Sequence, residues 1–89
     1  MNAYTFTKNQ IATFGNKLNI IYKTDKGYYI ESIEGKMITT QMSGSKVKFY
    51  KSLENIKKNS KQYKRNESFV TILVEPKGTD MANAAVTKL

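Results

Sequence analysis

Read as an extended strand, the run Ser68–Glu75 (SFVTILVE) is apolar on both faces. Phe69, Thr71 and Leu73 project one way and Val70, Ile72 and Val74 the other. Such a strand has no side to leave in water, so it belongs inside a sheet covered on both faces or at a subunit contact. The rest of the chain predicts one substantial helix, too little to cover both faces. The excess is expected to be met by a second subunit, in a homodimer formed through the 68–75 strand about a two-fold axis, or by the N-terminal hairpin or the C-terminal tail.

The segments before that run are punctuated by turn residues. Residues 4–14 alternate loosely and suit a short hairpin, and Gly15–Asn16 is a turn signal. Leu18–Thr24 reads as a strand with Leu18, Ile20 and Tyr22 on one face. Asp25–Lys26–Gly27 suits a tight hairpin in which Gly27 supplies a positive φ. Tyr28–Glu34 follows as a second strand, placing Tyr28 and Ile30 opposite Tyr29 and Ile33. Glu34–Gly35 turns the chain into a third strand, Lys36–Met42, and Ser43–Gly44–Ser45 into a fourth, residues 46–50. In that fourth strand Val47 and Phe49 share one side, and Lys46, Lys48 and Tyr50 form a basic, aromatic outer side.

Ser52 reads as a helix N-cap, with Glu54 in the first turn where the helix dipole favours a negative charge. A helix over about residues 52–65 would turn Leu53, Ile56, Ser60 and Tyr63 to the core, although Ser60 and two asparagines make poor helix interior. Pro76–Lys77–Gly78 ends the apolar strand, and residues 80–89 read as a short helix opened by Asp80 or as a frayed tail. The expected fold is therefore a single α+β domain over residues 1–89. It has a small antiparallel sheet of about four to six strands with one main helix packed on it.

Charge is distributed unevenly over this plan. Residues 46–65 hold eight of the fifteen basic side chains (Lys46, Lys48, Lys51, Lys57, Lys58, Lys61, Lys64 and Arg65) and one acid, Glu54, a net +7 of the chain's formal +8. Concentration in one segment, rather than a spread over the surface, points to a polyanionic partner. Tyr50 lies between Lys48 and Lys51, and Tyr63 between Lys61 and Lys64, so lysines could neutralise phosphates while a tyrosine stacks on an unpaired base. Tyr63 is better placed as a core residue, which leaves Tyr50 as the aromatic member of the candidate site.

The chain contains no Cys, His or Trp. Zinc fingers, thiol catalysis and His-based acid–base chemistry are thereby excluded. No DxD, HExxH, nucleophile elbow or phosphate-cradling glycine loop is present, so a non-enzymatic protein without a cofactor is expected. The rival enzymatic reading is a metal-dependent nuclease built on scattered carboxylates such as Glu31. Lysine outnumbers arginine fourteen to one, which favours sequence-tolerant contact with phosphates over bidentate reading of guanine, and RNA over DNA. No apolar run is long enough to span a membrane, and the N-terminus lacks the pattern of a signal peptide. The cytoplasm is the expected compartment.

Two resemblances extend this reading. The run GYYIESIEGKMITTQMSGSKVKFYKSLENIKK resembles the sheet-reading DNA-binding domains of integrases in layout, three antiparallel strands and then a helix, but lacks the Arg and Trp residues of their DNA-facing strands. In type and Lys/Asn/Ile-rich composition the whole chain is similar to small basic accessory proteins of T4-like phages. Some of these counter host defences, including RNA-binding inhibitors of toxin–antitoxin ribonucleases. That resemblance implies a phage protein acting in the host cytoplasm on RNA. A protein-interaction inhibitor that binds an acidic host protein is the alternative.

Overall fold

The computed structural model of the chain describes residues 12–77 and 80–89. The hairpin expected over residues 4–14 falls mostly outside them, and a single 3-10 turn, Ala12–Phe14, is described there. Strand β1 (Lys17–Thr24) and strand β2 (Gly27–Glu34) form an antiparallel hairpin in which Lys17 faces Glu34 and Thr24 faces Gly27. Strand β3 (Met37–Thr40) folds back on the free edge of β2. A two-stranded excursion follows, β4 (Met42–Ser43) with β5 (Lys46–Val47), and then two short helices, α1 (Leu53–Asn59) and α2 (Lys61–Arg65). Strand β6 (Val70–Lys77) pairs with the other edge of β1, and β7 (Asp80–Lys88) pairs antiparallel with β6. The sheet order is β3-β2-β1-β6-β7.

The architecture is α+β, as the alternation predicts, but the sheet is mixed rather than antiparallel throughout. Strands β1 and β6 run parallel, with Leu18 beside Val70 and Tyr22 beside Val74. A parallel pair cannot be closed by a tight turn, so the chain between them must cross over the sheet. That crossover carries the helices onto one face and the basic segment with them.

Both faces of β6 are used, as its composition requires. On one side of the sheet Leu18, Ile20, Tyr22, Ile72 and Val74 form a buried cluster with Phe14, Tyr29, Ile33, Val70 and Val86 packed against it. On the other, Ile21, Ile30 and Ile56 are buried with Tyr28, Tyr50, Leu53, Tyr63 and Leu73 around them. Each fully buried Leu, Ile or Val contributes about 1.5–3 kcal/mol relative to exposure. Ile72 and Val74 are thus buried within the single chain, and β1 and β7 occupy both edges of their strand. The covering expected from a second subunit at the 68–75 strand is supplied internally.

The C-terminal helix expected after Asp80 is instead strand β7. A nine-residue helix standing alone is marginal. Pairing with β6 satisfies an open row of backbone donors and acceptors, sets Val86 beside Val74, and lets the Leu89 N–H donate to the Thr71 carbonyl at 2.8 Å. The register shifts between Glu75 and Lys77, where Pro76 has no N–H to continue the ladder.

The single helix expected over residues 52–65 is broken at Ser60. Ser52 caps α1 as predicted, its hydroxyl accepting from the Asn55 N–H at 3.1 Å. Ser60 has an extended backbone (φ −78°, ψ 117°), and its hydroxyl accepts from the Tyr63 N–H at 3.1 Å, so it closes α1 and opens α2. The same hydroxyl donates to Gln41 Oε1 at 2.6 Å, a partner far away in sequence that a local reading does not contain. Ser60→Ala removes a cap and leaves a half-buried amide oxygen without this donor. It is expected to cost about 1–2 kcal/mol in a urea titration, against a few tenths for the exposed Asn59→Ala.

Candidate nucleic-acid interface

The strand expected over residues 46–50 ends at Val47, and the third strand is likewise shorter than its predicted span, Met37–Thr40 rather than Lys36–Met42. Gln41 is the reason for both. Its N–H donates to Ile30 O at 3.1 Å, its carbonyl accepts from Lys48 N–H at 3.0 Å, and its amide donates to the Tyr50 hydroxyl at 2.9 Å. The β4–β5 excursion is therefore pinched at its base, and the chain resumes along the edge of β2 only at Tyr50, which exchanges two backbone hydrogen bonds with Tyr28 at 2.8 and 2.7 Å.

Beyond this pinch Lys48 and Tyr50 still share one side, as alternation requires, but that side turns inward. Tyr50, expected on the outer side with Lys46 and Lys48, is half-buried against the Ile21, Ile30 and Ile56 cluster, with its hydroxyl engaged by Gln41. It serves the core. Lys48 is half-buried beside it, its Nζ 5.5 Å from the centre of the Tyr50 ring. Phe49, expected inward, is 38% exposed. Its ring meets Tyr29, which belongs to the cluster on the sheet face opposite the helices.

The helix layer is seated on the sheet by polar groups as well as apolar ones. Gln62 is buried and donates from Nε2 to Ser32 Oγ and to the Thr39 carbonyl, both at 2.9 Å. Ser32 donates to Asn19 Oδ1 at 2.8 Å, and Asn19 Nδ2 donates to the Asn66 carbonyl at 2.8 Å. Among the described residues no buried side-chain nitrogen or oxygen is left without a partner. An apolar-periodicity reading does not find Gln62, because glutamine is a surface residue by default.

With Ile56, Ser60 and Gln62 turned inward, Lys57, Lys58, Lys61, Lys64 and Arg65 are all exposed. Lys57 and Lys58 occupy the last turn of α1, and Lys64 and Arg65 the last turn of α2. There each cation also meets the negative end of a helix dipole, a favourable interaction of about 0.3–1 kcal/mol. Lys46 and Lys51 are exposed on the approach to the helices. All eight basic residues of the candidate site therefore lie on the one crossover between β3 and β6. Arg65 further lines a groove of about 370 Å³ beside β3, with Glu34, Met37 and Phe69.

Two rival sites take definite places. Glu31 is buried, 6% exposed, on the sheet face opposite the helices, where it accepts from the Tyr22 hydroxyl at 3.2 Å and Thr40 Oγ1 at 3.4 Å. Among the described residues no three acidic side chains gather as metal ligands. The three strands of the integrase-like layout do not form one sheet here: β2 and β3 pair in the five-stranded sheet, whereas β4 and β5 pair with each other in a separate one. No helix among the described residues is long and apolar enough to cross a membrane. No protein-family model, curated protein or solved structure matches the chain.

Proposed function

We propose that the protein is a non-enzymatic RNA-binding protein of low sequence specificity, whose crossover segment grips the phosphate backbone. The observation that carries this reading is the net +7 of residues 46–65, with seven of its eight basic side chains exposed and five of them on a helix layer whose inner side is committed to the fold. What that layer offers is a row of flexible ammonium groups, suited to a polyanion whose charges are regularly spaced. Fourteen lysines to one arginine support contact with phosphates rather than a code read from base edges.

The test is an anisotropy titration of single-stranded RNA at a series of salt concentrations. For binding through phosphates, the logarithm of the association constant falls linearly with the logarithm of salt, by about 0.7 for each contact. Five contacts from Lys57, Lys58, Lys61, Lys64 and Arg65 correspond to a slope near ~3.5. Absence of binding at low salt would overturn the reading and leave an acidic protein as the partner that the same charge would attract.

A further inference from the structure

We infer that Phe49 is a stacking platform for an unpaired nucleobase, flanked by Lys26 and Lys51, an inference that rests on the RNA-binding reading above. Three observations lead to it. Phe49 is a large apolar ring left 38% exposed in the most basic segment of the chain, although the neighbouring Tyr50 is drawn into the core. The ring is held rather than loose. Its edge-to-face contact with Tyr29 has centroids 5.7 Å apart at 82°, and Tyr29 in turn stacks on the buried Tyr22 at 4.8 Å. An aromatic series thus runs from the core to the surface and ends in Phe49.

The third observation is the charge around it. The β1–β2 turn, which carries Lys26, closes against this segment, since a Cβ placed on Gly27 would come within 3.7 Å of the Phe49 Cβ. Lys26 and Lys51 are exposed, whereas Lys48 turns to the Tyr50 ring. Asp25, in the same turn, and Glu54, three residues after Lys51, are the acids nearest in sequence to this group, both exposed. A pre-oriented aromatic face with cations beside it matches a base and its flanking phosphates, and because every base has a π-face the contact discriminates little by sequence. It does discriminate by structure. In a duplex the base faces are already stacked on one another, so the ligand class is single-stranded RNA or an unpaired loop.

The test uses the full chain carrying Phe49→Ala or Phe49→Trp, a short oligoadenylate, and an RNA duplex of equal length. Phe49→Ala is expected to weaken oligoadenylate binding by about tenfold, within the range for one lost base stack. It should leave duplex binding and the salt slope unchanged, because no charge is removed. Phe49→Trp introduces the chain's only tryptophan, is expected to keep the affinity, and should lose emission on adding oligoadenylate but not duplex. Wild-type affinity for oligoadenylate in Phe49→Ala, or an equal loss on both RNAs, would overturn the inference while leaving phosphate binding intact. A wild-type protein that binds neither RNA would overturn both readings together.

Discussion

Gly27→Ala is expected to destabilise the protein by about 3 kcal/mol or more, seen as a fall in melting temperature of roughly 12 °C or more by far-UV circular dichroism. Two costs combine at this position. Gly27 has φ +121°, a conformation that L side chains rarely adopt. A Cβ there would also lie 2.6 Å from the Tyr50 carbonyl oxygen. That oxygen cannot simply retreat, because it accepts from the Tyr28 N–H at 2.8 Å while the Tyr50 N–H donates to Tyr28 O at 2.7 Å. Breaking this bridge would free Tyr50 from Gln41 and weaken the seat of Ser60. Gly35→Ala is the control. Its φ is +62° and nothing lies within 4 Å of the added carbon, so it carries the backbone cost alone, about 1–2 kcal/mol. Equal melting temperatures for the two variants would show that the Tyr50 contact has no energetic weight.

The second large effect is on binding. Replacing Lys58, Lys61 and Arg65 together by alanine is expected to lower RNA affinity on the order of a hundredfold near ~50 mM salt and to reduce the salt slope by about 2. All three are exposed, so the melting temperature should stay within a few degrees of wild type. A matched variant removes the same charge elsewhere, with Lys17, Lys36 and Lys88 changed to alanine, all of them exposed and outside the basic segment. It should lose far less. If both triple variants weaken alike, binding follows net charge alone and the crossover segment is not a site.

These two predictions draw on different layers of information. The β1–β2 hairpin, its Gly27 turn, the opposition of Tyr28 and Ile30 to Tyr29 and Ile33, and the Ser52 cap were all legible locally, because each depends on residues within a few positions of one another. The two-faced character of the run Ser68–Glu75 was legible for the same reason: a strand's period of two sorts its side chains without reference to the rest of the chain. The concentration of lysine in residues 46–65 needed only counting.

Alternation, however, gives relative orientation and not direction. It separates Phe49 from Tyr50 but does not say which is inward, and the pinch at Gln41 interrupted the strand through which the count was carried. Ser60 looked like a weak helix residue and is a double cap because Gln41 meets it from another part of the chain. Residues 80–88 had no local preference strong enough to hold a helix, and the open edge of β6 decided them as a strand. Local residue chemistry therefore determined the turns, the facing of side chains and the amount of charge. The tertiary structure alone decided which face is buried, where the helix breaks and which aromatic reaches solvent, because those depend on hydrogen bonds and packing between residues that sequence distance keeps apart.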